Sequence, residues 1–173
     1  MEVTKTTLGV YLIKIDKHYD ERGFFNQLFQ DEAYNKAGIN QNFPQDNLSY
    51  SRYGTTRGLH YQEEPFSQGK LIQVVKGKIF DVCVNIDKKS KDFGKQETFY
   101  LNTDSQIFIP SNFAHGFQCL TEEAYVIYKC TKVYSKTHEK TIIWNDPDLS
   151  VNWPIKMATV SDKDKLGLSL KAI

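Results

Sequence analysis

Short apolar runs separated by turn residues are the main pattern along this chain. Residues 70–86 predict two strands on either side of a turn at 76–78, and in the second strand apolar and polar side chains alternate. One short helix is predicted in the first half, at residues 31–37, because Gly38 follows as a stop signal. Further strands are predicted at residues 10–15, 24–29, 97–101, 106–109, 116–120 and 125–131. Many short strands at this spacing indicate a β-sandwich or β-barrel.

Nothing in the sequence marks a boundary between domains. The 173 residues contain no internal repeat, no low-complexity tract and no linker rich in Pro, Gly or Ser. A chain of this length can bury a sizeable core without disulfides or a structural metal. We therefore predict a single domain over residues 1–173.

Charge and cysteine content narrow the range of partners and compartments. The chain carries 22 basic and 21 acidic side chains, a balance that would not attract a nucleic-acid backbone or an anionic membrane. Its 3 cysteines are an odd number, which suits free thiols in a reducing compartment. No apolar run reaches the length of a membrane span, and the N-terminal residues lack a signal-peptide layout. We expect a cytoplasmic protein that binds neither nucleic acid nor membrane.

Two clusters hold the side chains best suited to chemistry. The segment RGLHYQ at residues 57–62, followed by QGKL at 68–71, places a guanidinium, an imidazole and an ammonium close together in sequence. The segment IPSNFAHGF at residues 109–117 sets a second histidine between small and aromatic residues. Residue type alone makes His60 as compatible with a hydrogen-bonded core histidine as with a catalytic one.

The ligand pattern argues against a bound metal. Small barrels that hold a metal commonly present a His-x-His pair, but Gln62 stands where a second histidine would follow His60. The cysteines do not show a CxxC spacing either. We expect neither a metal nor a redox cofactor.

Nine segments, in the same order, resemble the dTDP-4-dehydrorhamnose 3,5-epimerase family of cupins over nearly the whole chain. They are DERGFF (20–25), PQDNLSYS (44–51), RGLHYQ (57–62), QGKLIQVVKGKIFDVCVNI (68–86), SKDFG (90–94), IPSNFAHGF (109–117), YKCTKVYS (128–135), IIWNDPDLSVNWP (142–154) and VSDKD (160–164). The resemblance implies an all-β fold, a cupin-type jelly-roll β-barrel with a few short helices. It also implies a homodimer that holds the sugar inside each barrel and the nucleotide near its mouth.

The activity implied by the resemblance is epimerisation of a nucleotide-linked 4-keto sugar. This chemistry needs a base beside the ketone, a group that stabilises the enolate oxygen, and an acid on the opposite face of the ring. By the resemblance, His60 is the base and Asp164 hydrogen-bonds its other ring nitrogen. Lys70 is expected beside the keto oxygen, and Tyr128 is expected to be the acid. Composition alone would instead make Asp164 a surface carboxylate and Tyr128 a core residue.

The resemblance also indicates which residues bind the nucleotide diphosphate. Arg22 and Arg57 can bind phosphate oxygens through their guanidinium groups, and Gln45 and Asn47 can add amide hydrogen bonds. His115 is expected to support this region or the sugar.

The sequence leaves open which nucleotide base and which sugar the substrate carries. Asn26 and Gln27 stand where thymidine-specific members are expected to carry a glutamate, and an amide both donates and accepts hydrogen bonds. Val133 stands where an aromatic residue is often found near the nucleotide. The alternatives are dTDP or GDP, hexose or heptose, and inversion at C3 alone or at both C3 and C5.

Three other functions compete with epimerisation. A 3,4-ketoisomerase on a related barrel would move the carbonyl instead of inverting carbons. A non-catalytic cupin would bind the sugar nucleotide tightly without exchanging protons, and retention of all four candidate catalytic residues speaks against it. A metal-dependent oxygenase or isomerase fits least.

Overall fold

Strands are the main regular element of the computed structural model, which describes residues 1–173. The strands are β1 (Glu2–Lys5), β2 (Tyr11–Lys14), β3 (Lys17–Asp20), β4 (Gly23–Asn26), β5 (Gln45–Arg52), β6 (Thr55–Gln62), β7 (Lys70–Lys76), β8 (Ile79–Asn85), β9 (Gln96–Leu101), β10 (Ser105–Ile109), β11 (Phe113–Cys119), β12 (Glu123–Cys130), β13 (Glu139–Thr141) and β14 (Thr159–Val160). The helices are α1 (Asp31–Lys36) and α2 (Asp162–Lys165), and a 3-10 turn spans Leu170–Ala172. Neither helix has the length and apolar character needed to cross a bilayer.

Two sheets form the body of the fold. The first runs in the order β1-β2-β10-β7-β12-β5, and the second in the order β13-β6-β11-β8-β9, with β14 added beside β6. Apolar side chains of both sheets, among them Ile72 and Phe117, form one buried cluster between them. Strands β3 and β4 pair only with each other, as a separate hairpin. The arrangement confirms the expected all-β, cupin-type jelly-roll barrel.

Each sheet is covered on its outer face by a different part of the chain. Helix α1 and its flanking residues close the first sheet, where Tyr34 packs with Ile13 and Phe108 in a second buried cluster. The segment that follows β13 covers the second sheet with Leu149 and Trp153. Because apolar side chains are also buried on both outer faces, the stability of the sheets does not depend on the barrel interior alone. Part of that interior can therefore be polar.

Most predicted elements are confirmed, with shifts at their ends. The helix predicted at residues 31–37 and the two strands around the 76–78 turn are present. The strand predicted at 24–29 ends already at Asn26, and β11 begins three residues before its predicted start at 116. All three cysteines are free and buried, as expected for small apolar side chains.

Two glycines let β6 and β11 approach each other closely. A Cβ at Gly58 would lie 2.5 Å from the Cα of Gly116, and a Cβ at Gly116 would lie 2.6 Å from the carbonyl oxygen of Arg57. Gly58 also has a φ of 119°, which favours glycine. Next to this close approach, His115 pairs with His60 across the two strands. The glycines therefore allow two histidines to stand side by side in the barrel wall.

Candidate active site

A cavity of about 220 Å³ opens between the two sheets. It is lined by Ser49, Arg57, His60, Lys70, Ile72, His115, Gly116, Phe117, Val126, Tyr128 and Glu139. Five of the residues predicted from the sequence are in this group: Arg57, His60, Lys70, His115 and Tyr128. Ionisable groups from separate parts of the chain therefore meet in one partly enclosed space, which is the usual setting of an active site.

His60 and Asp164 form a hydrogen-bonded pair in the wall of this cavity. The Nε2 atom of His60 lies 2.6 Å from Oδ1 of Asp164, and Oδ2 of Asp164 accepts a hydrogen bond from the Gly58 N–H at 3.2 Å. Ser161 caps α2 by accepting from the Asp164 N–H. With Nε2–H donated to the carboxylate, Nδ1 of His60 carries a free lone pair, which is the state a general base requires.

The carboxylate of Asp164 is held in its ionised form although it is buried. Burial raises its pKa, but the hydrogen bond from His60 and the N–H of Gly58 outweigh burial and leave the pKa below its usual value. Asp164 is only 3% exposed, so it is not the surface carboxylate that composition favours. A charged partner at this position fixes the tautomer and the orientation of the imidazole ring.

Lys70 brings an ammonium group into the same space from the first sheet. It is the first residue of β7, and its Nζ lies 3.5 Å from the carbonyl oxygen of His60. Burial lowers the pKa of Lys70, and the nearby Cys130, Asp81 and Glu139 partly offset that effect. A cation in a dry site of this kind stabilises a developing oxyanion more than it would in water.

Tyr128 faces the cavity from the opposite sheet to His60. It lies on β12, beside Ile72 of β7, whereas His60 lies on β6 in the second sheet. Burial raises the pKa of the Tyr128 phenol, and the neighbouring charge of Arg57 opposes that rise. The phenol therefore keeps its proton at neutral pH and can donate it within the cavity.

His115 has a carboxylate partner of its own. Its Nε2 atom lies 2.8 Å from Oδ2 of Asp81, which is fully buried. Burial lowers the pKa of His115 more than the Asp81 charge raises it. The cavity wall thus carries two His–Asp pairs on neighbouring strands, with His115 paired to His60 in the ladder.

Three polar residues of the predicted nucleotide site lie at or beside the cavity. Arg57 is oriented by hydrogen bonds from its Nε to Ser51 Oγ (3.0 Å) and from its Nη2 to the Tyr50 carbonyl (2.8 Å). Gln45 and Asn47 do not line the cavity, and Gln45 Nε2 donates to Asn47 Oδ1 at 3.1 Å. They precede the cavity residue Ser49 on the same face of β5.

Two predicted nucleotide-binding residues are not brought to the cavity of this chain. Arg22 lies in the turn of the β3–β4 hairpin, exposed, where its Nε donates to Asp20 at 3.0 Å. Gln27 follows β4 and lines a separate pocket with Ile13 and Tyr34. The hairpin pairs with neither of the two large sheets, and neither residue lines the cavity.

Three polar residues of the site were missed from the sequence. Glu139 and Ser49 line the cavity, and Asp81 supports His115. The sequence does contain a signal for Asp81, because this charged residue lies inside an otherwise apolar predicted strand. Glu139 stands in the polar run THEKT, which reads as a surface loop. No cluster of three or more His, Cys, Asp or Glu side chains suited to a metal ion is present.

Known proteins match the chain along almost its whole length. The sequence model of the dTDP-4-dehydrorhamnose 3,5-epimerase family matches residues 5–172. The enzyme of that name from Shigella flexneri is 44% identical over 95% of this chain and 93% of its own. The crystal structure of the Sulfolobus tokodaii enzyme is 43% identical, with a TM-score of 0.92 over 98% and 95% of the two chains. That of a Legionella pneumophila dTDP-6-deoxy-D-glucose-3,5-epimerase in complex with dTDP-4-keto-L-rhamnose is 38% identical, with a TM-score of 0.95 over 99% and 94%. The chain therefore belongs to the dTDP-4-dehydrorhamnose 3,5-epimerase family.

Proposed function

We propose that this protein is an isomerase that inverts C3 and C5 of a dTDP-linked 4-keto-6-deoxy sugar. The observation that carries the proposal is the His60–Asp164 pair, 2.6 Å apart, in the wall of a cavity that also holds Lys70 and Tyr128. Relatives up to 44% identical bear the name of this activity, and a structural neighbour is named as a complex with dTDP-4-keto-L-rhamnose.

His60 acts as the base in each inversion. The carbons beside a ketone carry weakly acidic protons, and Nδ1 of His60 is the free lone pair that takes one of them. The pair of electrons left behind moves into the ketone and forms an enolate, whose oxygen is negative. The fixed charge of Lys70 stabilises that oxygen, which lowers the barrier to proton removal.

Tyr128 returns a proton to the opposite face of the sugar. Because Tyr128 and His60 stand on opposite sheets, a ring bound between them presents one face to each. The enolate collapses to the ketone as its carbon takes the phenol proton, and the carbon is inverted. The resulting phenolate recovers a proton from solvent, and the His60 imidazolium releases to solvent the proton that it took, so both groups are restored. The same two groups serve C3 and C5, which flank one carbonyl.

The diphosphate binds at Arg57, on the rim of the cavity. Two of its nitrogens are held by Ser51 and the Tyr50 carbonyl, and the guanidinium donors that remain can bind phosphate oxygens. Gln45 and Asn47 lie on β5, in the other sheet, and can add amide donors. The names of the relatives support dTDP over GDP as the nucleotide.

The active form is a homodimer. The β3–β4 hairpin exposes three aromatic rings, those of Tyr19, Phe24 and Phe25, which are 56–71% exposed. Apolar surface of this kind, on a hairpin paired with no other strand, favours a second copy of the chain as its partner. Docking of the hairpin on that copy would carry Arg22 and Gln27 to the neighbouring site.

A reducing compartment suits the protein, and we infer that it acts in the cytoplasm. Its three cysteines are free and buried, and sugar-nucleotide chemistry of the kind proposed uses only acid and base side chains.

Proton NMR in deuterated water tests the proposed reaction. The wild type is incubated with dTDP-linked and GDP-linked 4-keto-6-deoxyglucose, and the experiment is repeated with His60→Ala. We expect deuterium at C3 and C5 of the dTDP sugar and its loss in the variant. Absence of exchange with either nucleotide would contradict the proposal, and movement of the carbonyl to C3 would favour a ketoisomerase.

A further inference from the structure

Glu139 is an ionisable residue of the cavity to which the reaction above gives no role. It begins β13, where it pairs with Gln62, while Thr141 of the same strand pairs with His60. Opposed residues of an antiparallel ladder point to the same side of the sheet. Glu139 therefore projects inward beside the catalytic base, and its side chain is only 17% exposed.

One oxygen of the Glu139 carboxylate is held in place by two donors. Oε2 accepts a hydrogen bond from the Tyr134 hydroxyl at 2.8 Å and lies 2.5 Å from Nζ of Lys163. The other oxygen, Oε1, makes no hydrogen bond within the chain. The carboxylate is thus oriented through one oxygen and leaves the second free for a ligand.

Glu139 is ionised in this setting. Burial raises its pKa, but Lys163 and Tyr134 together lower the pKa below its usual value. An ionised carboxylate only accepts hydrogen bonds, so the matching ligand group is a donor such as a hydroxyl.

We propose that Glu139 orients the sugar in the active site, its Oε1 accepting a hydrogen bond from the C2 hydroxyl of the substrate. This inference rests on the proposed epimerase function. A 4-keto-6-deoxy sugar linked through C1 has free hydroxyls only at C2 and C3. The C3 hydroxyl changes its direction when C3 inverts, whereas the C2 hydroxyl keeps its configuration. A fixed acceptor can therefore hold the ring through both inversions only at C2.

The charge of Glu139 also favours one direction of binding. A carboxylate repels the diphosphate, while the guanidinium of Arg57 in the same cavity attracts it. The sugar thus enters with its hydroxyl edge towards Glu139 and the diphosphate towards Arg57.

The variant Glu139→Gln tests the inference at constant size. Because Lys163 repels the amide NH2 group, the amide oxygen should occupy the position of Oε2. The NH2 group, which donates hydrogen bonds, would then face the sugar in place of the acceptor Oε1. We expect kcat/KM for dTDP-4-keto-6-deoxyglucose to fall about 10- to 100-fold, the usual loss for a hydrogen bond to a charged group. With the substrate that lacks the C2 hydroxyl, dTDP-4-keto-2,6-dideoxyglucose, wild type and variant should differ by less than about 3-fold.

Controls separate this role from a structural one. Glu63→Gln removes the same charge at a carboxylate that pairs with Lys140 outside the cavity, and it should leave both substrates unaffected. If Glu139→Gln unfolds, Glu139→Asp keeps the charge and shortens the reach, and it should show the same dependence on the C2 hydroxyl. An equal loss with both substrates, or no loss, would overturn the inference. Failure of the wild type to exchange C3 and C5 protons would instead refute the proposed reaction.

Discussion

Burial shifts the pKa values of Tyr128, the proposed acid, and Lys70, the proposed stabiliser of the enolate oxygen, in opposite directions. It lowers the pKa of Lys70, because the charged ammonium loses solvation, and it raises that of Tyr128, because the phenolate would lose solvation. Tyr128 therefore stays protonated at neutral pH, and the mechanism requires the charged form of Lys70. The lowered pKa brings the loss of the Lys70 charge closer to neutral pH, whereas the raised pKa moves the ionisation of Tyr128 away from it.

The alkaline limit of activity should therefore belong to Lys70. As the pH rises through the lowered pKa of Lys70, the positive charge beside the enolate oxygen is lost and proton exchange slows. In Lys70→Arg the guanidinium stays charged, so the limit should move to higher pH, while the altered geometry lowers the rate about 10- to 100-fold. The measurement is the pH profile of deuterium exchange at C3. An unchanged alkaline limit in the variant would assign it to another group.

Among the elements, strands β5 and β6 best show what the sequence could and could not predict. The apolar periodicity of residues 70–86 correctly predicted two strands, because their side chains fill the core. Strands β5 and β6 escaped prediction because inward positions such as Ser49 and His60 line a polar cavity instead. Helix α2 was missed because four residues carry no periodic pattern. Its Asp164 was found through family motifs alone.

The close approach of β6 and β11 predicts that a side chain added at Gly116 destabilises the barrel. A Cβ added in Gly116→Ala would lie 2.6 Å from the Arg57 carbonyl oxygen, so the two strands would have to separate. We expect a loss of about 2–3 kcal/mol of unfolding free energy, measured in urea, together with loss of epimerisation. Gly69→Ala, whose added carbon comes no closer than 3.2 Å to any atom, should cost less. Equal stability of Gly116→Ala and wild type would argue against this account of the barrel wall.

For the whole molecule, the β3–β4 hairpin and the residue that follows it hold the part of the predicted nucleotide site that does not line the cavity. The His60–Asp164 pair, Lys70 and Tyr128 come together within a single barrel, but Arg22 and Gln27 do not. Motif resemblance predicts Arg22 and Gln27 for the nucleotide site without saying which chain supplies them, because a sequence pattern does not distinguish contacts within a chain from contacts between chains.

The double variant Phe24→Ser, Phe25→Ser should convert the dimer to monomers. Removing two exposed rings takes away apolar area that the proposed contact would bury, at about 1.5–3 kcal/mol for each ring. Sedimentation velocity measures the change of mass, and titration with dTDP should show weaker binding in the monomer. The barrel should stay folded, because neither ring belongs to a buried cluster. A wild type that sediments as a monomer would contradict the proposed assembly.

In the proposed mechanism, His60 and Tyr128 act on opposite faces of the sugar. Proton NMR in deuterated water with Tyr128→Phe and His60→Ala separates the two roles, because it follows exchange and configuration at C3 and C5 together. In Tyr128→Phe, His60 can still remove a proton and return deuterium to the same face, so exchange should persist without inversion. In His60→Ala both should be lost. Inversion that survives in Tyr128→Phe, or exchange that survives in His60→Ala, would contradict the account.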